Sequence, residues 1–269
     1  MTTITFLGNY NPNRYIYNWS IDAQELGYQT KINDISGLTK NDIIIIDKQT
    51  MIDFQQSPAK KILVYPDLIC TESVQSQYLL SRTKVFMLCA PHVDFIVMPP
   101  NMDSIKFAQG LSGKDVFPLS FGVYRKYFSF FPKRFPKKSI KLGYCWTMGG
   151  EHRDKVAKSL NATEIQGYGK AMFIQLQKCH FVLNAHYSSL KNNEQRLTEI
   201  PLACAIPVSE PLAYPELLSD LYWVPIEEYP KEFSRKEYME IIKNNIQAVR
   251  SKYNSLESLK MLLSYLKSE

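Results

Sequence analysis

The chain has 269 residues, 45% of them hydrophobic, and its 32 lysines and arginines against 26 aspartates and glutamates give a formal net charge of +6. That length and apolar content support a real core in two modest domains or one large one. The five cysteines form no Cys-x-x-Cys pair and the four histidines no helical i, i+4 pair, which argues against a structural zinc site and a disulfide framework.

No apolar run approaches the ~18 residues of a membrane span, and no basic and apolar targeting segment is visible. A cytoplasmic protein without a transmembrane segment and without a bound metal or cofactor is therefore expected. The positive charge permits a polyanionic partner, nucleic acid or a membrane surface, without requiring one.

The first half alternates strand and helix. Thr3 to Leu7 is a short β-rich run closed by a Gly-Asn-Tyr-Asn-Pro loop, and Tyr15 to Leu26 has helical spacing that stops at Gly27. Tyr28 to Ile32, the four isoleucines 43–46 followed by Asp47, and Lys61 to Tyr65 followed by Pro66-Asp67 read as further strands. A helix is predicted over Glu72 to Leu88, and strands at Phe95 to Met98 and Asp115 to Leu119. Strands alternating with helices, several followed by a polar residue, indicate a parallel α/β sheet with ligand groups at its carboxyl edge.

Between Tyr124 and Lys138 the composition turns to Tyr, Phe, Pro, Lys and Arg, so the interdomain connection is placed there. Its basic run, Lys133, Arg134, Lys137, Lys138 and Lys141 beside Phe131 and Phe135, has the make-up of a nucleic-acid groove and equally of a solvated linker. The boundaries that follow are an N-terminal domain over 1–124, a linker over 125–138, a second domain over 139–233 and C-terminal helices over 234–269 packing across the domains.

The second half restarts the rhythm. Ile140 to Trp146 is a predicted strand, then Thr147-Met148-Gly149-Gly150 and a helix over Glu151 to Leu160. Gly149 and Gly150 would let backbone N–H groups approach a diphosphate, with Arg153 as counter-charge, or would serve as a plain tight turn. Phe181 to Pro215 reads as strand, loop, helix and strand. Arg196 and Glu199 are three apart and share a helical face near a helix N-terminus, a pair able to hold a phosphate and a ribose hydroxyl or to form an internal ion pair. Ser234 with Glu237 forms a capping box for a helix to about Ser251, and Asn254 with Glu257 opens a last one over Ser255 to Leu266.

Two α/β halves, the mid-chain Pro118, Gly122, Val123 and Phe128, the Gly143-to-Arg153 segment, Leu183-Asn184, and then Arg196, Glu199, Ala203, Cys204, Pro207 and Val208 together resemble the GT-B glycosyltransferases. The likeness is to the spore-maturation-protein-like and group 1 transferases. It implies two Rossmann-like domains with a cleft between them and transfer of a sugar from a nucleotide-diphosphate sugar. It assigns Gly149, Gly150, Arg153, His186, Arg196 and Glu199 to donor binding, with Glu199 on the ribose hydroxyls, and it brings Tyr187 beside His186 toward the sugar or diphosphate. An inverting transfer needs a base at the end of an N-terminal strand, for which Asp67 comes first and Asp47 and Asp94 after it.

Two positions depart from the pattern. Lys191 stands where many group 1 transferases have a second glutamate, and Ala205 replaces their usual glycine. The acceptor implied is a hydroxymethylated DNA base, as for phage base glucosyltransferases of this broad fold, or a glycan, lipid or protein. The alternative from another class is a nucleotide- or DNA-binding module without transferase chemistry.

Overall fold

Four isoleucines in a row suit a strand covered on both faces, and Ile44, Ile45 and Ile46 are indeed fully buried at the centre of the first sheet. The computed structural model describes residues 2–12, 14–47, 53–67, 69, 77–145, 150–167, 169–186 and 195–268. Two units divide the chain, residues 1–119 with 258–269, and residues 120–257.

The first unit runs β1 (Thr3–Leu7), α1 (Tyr15–Glu25), β2 (Gln29–Ile32), β3 (Ile43–Asp47), β4 (Lys60–Val64), α2 (Gln77–Cys89), β5 (Phe95–Met98), α3 (Met102–Ser112) and β6 (Val116–Pro118). Its six strands are all parallel in the order β2-β1-β3-β4-β5-β6. Helix α1 buries Tyr15, Ile16, Trp19 and Ala23 at helical spacing. Asn101 caps α3 by accepting from the Ser104 N–H at 2.7 Å.

The second unit contains β7 (Ile140–Tyr144), α4 (Glu151–Ser159), β8 (Thr163–Glu164), α5 (Lys170–Leu176), β9 (Cys179–Asn184), α6 (Arg196–Glu199), β10 (Ile206–Ser209), β11 (Val224–Pro225) and α7 (Arg235–Ser251). Helix α8 (Ser255–Ser268) follows, and its Tyr265 stacks on Phe117 of the first unit with ring centroids 4.4 Å apart. The second sheet is also parallel throughout, ordered β11-β10-β9-β7-β8. The capping box of α7 forms as the sequence indicates: Glu237 N–H donates to Ser234 Oγ at 3.2 Å and Ser234 N–H to Glu237 Oε2 at 2.8 Å.

Two local expectations are corrected. Residues 125–130 are not irregular linker but a 3-10 turn, drawn in because the Tyr127 and Phe130 rings pack on Phe173 at 5.2 and 5.5 Å. Helix α6 is a single turn of four residues. Pro201 lacks the N–H that would continue it, so the chain tightens into a 3-10 turn over Ile200–Ala203 and leaves through Cys204 in the left-handed region at φ 56°. One turn has no appreciable summed dipole, and that part of the reasoning for Arg196 and Glu199 falls away.

The Gly122-Val123 pair has a packing role. Val123 N–H donates to Tyr253 O and Ser255 N–H to Val123 O, both at 3.0 Å, so this segment pairs with the turn after α7. Gly122 has φ +63°, and a Cβ there would sit 2.8 Å from the Asn254 backbone.

Candidate functional site

A parallel sheet presents ligands with its carboxyl edge, above all where successive connections leave toward opposite sides. In the second sheet this switch point lies between β7 and β9, since the chain goes outward from β7 to β8 and returns to β9 on the other flank. The residues just past these strand ends form one linked cluster.

Glu210, the first residue after β10, anchors it. Its Oε2 accepts from the His186 backbone N–H at 2.7 Å, and its Oε1 lies 2.7 Å from His152 Nε2 in the first turn of α4. Arg153, next along α4, donates from Nε to Ala185 O at 2.9 Å. The start of α4 is thereby tied to the ends of β9 and β10. Gly150 is the N-cap of α4, contributing no side chain to its first-turn amides, and at φ −161° it is ordinary extended backbone.

His186 Nε2 lies 2.9 Å from Pro211 O. A carbonyl can only accept, so the hydrogen sits on Nε2 and the neutral ring keeps a lone pair on Nδ1. Among the described residues, neither His186 Nδ1 nor Asn184 Oδ1 has a hydrogen-bond partner. Both side chains are buried, at 3% and 1% exposure, and an unsatisfied buried polar atom costs stability until a partner is supplied. Asn184 is held by its other atom, Nδ2 donating to Ser209 Oγ at 3.1 Å. Two acceptors at one strand end therefore await donors such as sugar or ribose hydroxyls.

Arg196 and Glu199 sit around the end of β7. Arg196 NH1 is 2.5 Å from Cys145 Sγ and 3.7 Å from Met172 Sδ. Burial pushes the Cys145 thiol pKa up, the Arg196 guanidinium draws it back and the Glu199 carboxylate raises it, so both charged groups act at that thiol. Gly149, Tyr187 and Lys191 lie outside the described residues. Among the described residues no group of three or more His, Cys, Asp or Glu side chains could hold a metal ion.

In the first unit, Asp67 lies three residues past the carboxyl end of β4. It forms an ion pair with Arg82 on α2 at 3.5 Å, its side chain 18% exposed. Asp47 closes β3 and is buried. Asp94 is at the wrong edge: it precedes β5, and its Oδ2 accepts from the Lys61 N–H at 2.7 Å at the amino end of β4.

Sequence reasoning brought Gly150, Arg153, His186, Arg196 and Glu199 to one strand edge but missed Glu210, His152 and Cys145. Glu210 carried a usable signal, a carboxylate directly after a buried Pro-Val strand. Its pairing with His152, 58 residues away, carried none.

No protein-family profile matches the chain, and no curated protein sequence matches it. Solved structures do. An E. coli structure described as trehalose-6-phosphate bound with UDP-2-fluoro glucose aligns at TM-score 0.58 and 10% identity over 94% of this chain and 78% of that one. HepE from Anabaena, in complex with UDP and glucose, aligns at 0.53 and 11% over 100% of each chain. An α1,3-fucosyltransferase aligns at 0.52 and 12% over 99% of this chain and 89% of that one. At such identities the likeness is one of fold, and with two parallel α/β units along nearly the whole chain that fold is GT-B.

Proposed function

We propose that this chain is a glycosyltransferase that moves a sugar from a nucleotide-diphosphate sugar to an acceptor hydroxyl. One observation carries the reading: two buried, unpartnered acceptors, His186 Nδ1 and Asn184 Oδ1, stand at the switch point of a GT-B second unit beside Arg153 and the start of α4. Fold neighbours described as holding UDP-2-fluoro glucose, or UDP and glucose, lend support.

In this reading the diphosphate lies against the Gly149-Gly150 backbone, Arg153 and Arg196, whose positive charge stabilises the negative charge that grows on the leaving group. Glu199 accepts from the ribose hydroxyls, and His186 accepts from a sugar hydroxyl through Nδ1. For an inverting transfer, the acceptor oxygen bonds to the anomeric carbon as the bond from that carbon to the diphosphate oxygen breaks. The acceptor proton passes to a carboxylate, which we assign to Asp67, and the nucleoside diphosphate departs. A hydroxymethylated DNA base is the acceptor we favour, on the strength of the +6 charge and the cations between Lys133 and Lys141.

The test is a thermal-shift screen of nucleotide sugars followed by calorimetric titration of the one that binds. A donor at 100 times its Kd should add about 2.7 kcal/mol to stability. Glu199→Ala is expected to abolish donor binding, and Asp67→Asn to abolish turnover while sparing donor affinity. Undiminished affinity in the Glu199 variant would end the ribose assignment.

A further inference from the structure

We propose that the amino-edge face of the second unit, built from residues 131–141 and helix α7, binds single-stranded nucleic acid. It lies at the start of the strands, where Lys138 and Ser139 lead into β7 and Cys204 precedes β10, so it is separate from the carboxyl-edge cluster.

Two cavities make up this face. One, of about 670 Å³, is floored by Phe181, Phe233 and Tyr238 and carries Lys138, Lys141, Lys231 and Arg235 against Glu232. The other, of about 680 Å³, lies along Phe131 and α7 and carries Lys133, Arg134, Lys236, Lys243 and Arg250 against Glu240. Phe135 and Met239 line both, and each is exposed, at 43% and 38%. The cavities are therefore neighbours on one band.

The charges on this band are not neutralised from within. Lys133, Arg134, Lys141, Arg235, Lys236 and Lys243 have no side-chain hydrogen bond, ion pair or ring contact among the described residues. Gathering so many like charges on one face raises the local potential and is relieved by a polyanion. The geometry favours an extended one. Lys236, Lys243 and Arg250 are seven apart, which on a helix places successive cations about 10 Å apart along one side. A line of that length outreaches any single phosphate group.

The aromatic rings select among polyanions. Phe135 and Tyr238 meet edge to face at 6.2 Å, and Arg250 lies over the Phe131 ring at 5.0 Å. Rings interleaved with cations in concave pockets match unpaired bases, which stack while their phosphates follow the charge. A bilayer is the poorer fit, because the apolar side of α7, Ile242, Ala248 and Val249, is already buried in the unit and leaves no continuous apolar face to insert.

The experiment is fluorescence anisotropy with a labelled oligo-dT of about 20 nucleotides, a length that spans a typical single-strand site. Binding is expected to weaken linearly in log–log against salt, with a slope of about −3 to −4 for roughly five phosphates. The triple variant K133E/R134E/K243E should lose at least about tenfold in affinity with a shallower slope. F135A should lose about tenfold with the slope unchanged. Thermal unfolding of each variant confirms the fold, and any nucleotide-sugar thermal shift seen in the wild type should persist in the triple variant. The proposal stands or falls without the donor reading, since the oligonucleotide result needs no sugar. It is overturned if the oligonucleotide fails to bind at low salt, if the variants bind it as the wild type does, or if phosphatidylserine vesicles bind in preference and the same substitutions abolish that binding.

Discussion

Replacing Glu210 by alanine tests whether one carboxylate holds the carboxyl edge of the second unit together. The substitution removes the acceptor of the buried His186 N–H and the partner of His152, both at 2.7 Å. A backbone N–H bonded to a charged group contributes about 1.5–3 kcal/mol, most of it lost when that N–H is left buried and unpaired. The His152 ring is 38% exposed, so its contact adds only about 0.5–1 kcal/mol. The expected loss is about 2–4 kcal/mol, with Glu210→Gln losing roughly half, since its single carbonyl oxygen can still accept from His186. Urea unfolding gives the first number. Hydrogen exchange of residues 181–186 gives an independent one, because lost protection should concentrate there. A variant within about 0.5 kcal/mol of wild type, with unchanged exchange at that strand end, would refute the anchoring role.

Gly122→Ala should cost about 2–4 kcal/mol, combining a left-handed residue with a Cβ pressed on the Asn254 backbone; urea unfolding measures it, and a neutral result would show that the segment relaxes. Lys138 gives a pH prediction. Burial lowers its pKa from 10.5 to about 8, so between those values the unfolded chain binds more protons and wild-type stability rises with pH. At 1.36 kcal/mol per pH unit the gain relative to Lys138→Met approaches about 3 kcal/mol across that window, and parallel stability curves for the two proteins would contradict it.

How much of this could be read from the residues depends on how far each interaction reaches along the chain. Ile43 to Ile46 and Phe181 to Asn184 declare strands because a parallel sheet buries both faces, and Ser234 with Glu237 declares a helix start because the cap closes over three residues. Helix α6 was overestimated although Pro201 was visible, because the Arg196-to-Glu199 spacing was read as helical before the missing N–H was weighed. The 3-10 turn at 125–130 depends on Phe173, more than forty residues on, and composition alone showed only prolines and charge. Lys138 looked like one more solvated lysine. Its Nζ instead donates to Cys204 O at 2.7 Å, which no local pattern reveals.

The direction of the second sheet separates the two roles proposed for it. Every strand there runs the same way, so the loops leaving β7, β9 and β10 collect Arg153, Asn184, His186 and Glu210, and the segments entering those strands collect Lys138, His180 and Cys204. One edge then offers buried acceptors beside a helix start, suited to hydroxyls and a diphosphate. The other offers unpaired cations with exposed rings, suited to a longer chain of charge. Since β7 and β9 each contribute to both edges, a substitution buried between them, such as Leu142→Ala, should weaken both activities through stability alone. Charge reversals along α7 face solvent and should spare the carboxyl edge. Loss of both activities in K133E/R134E/K243E with the unfolding transition intact would mean that the two edges are coupled, which nothing in their separate chemistry requires.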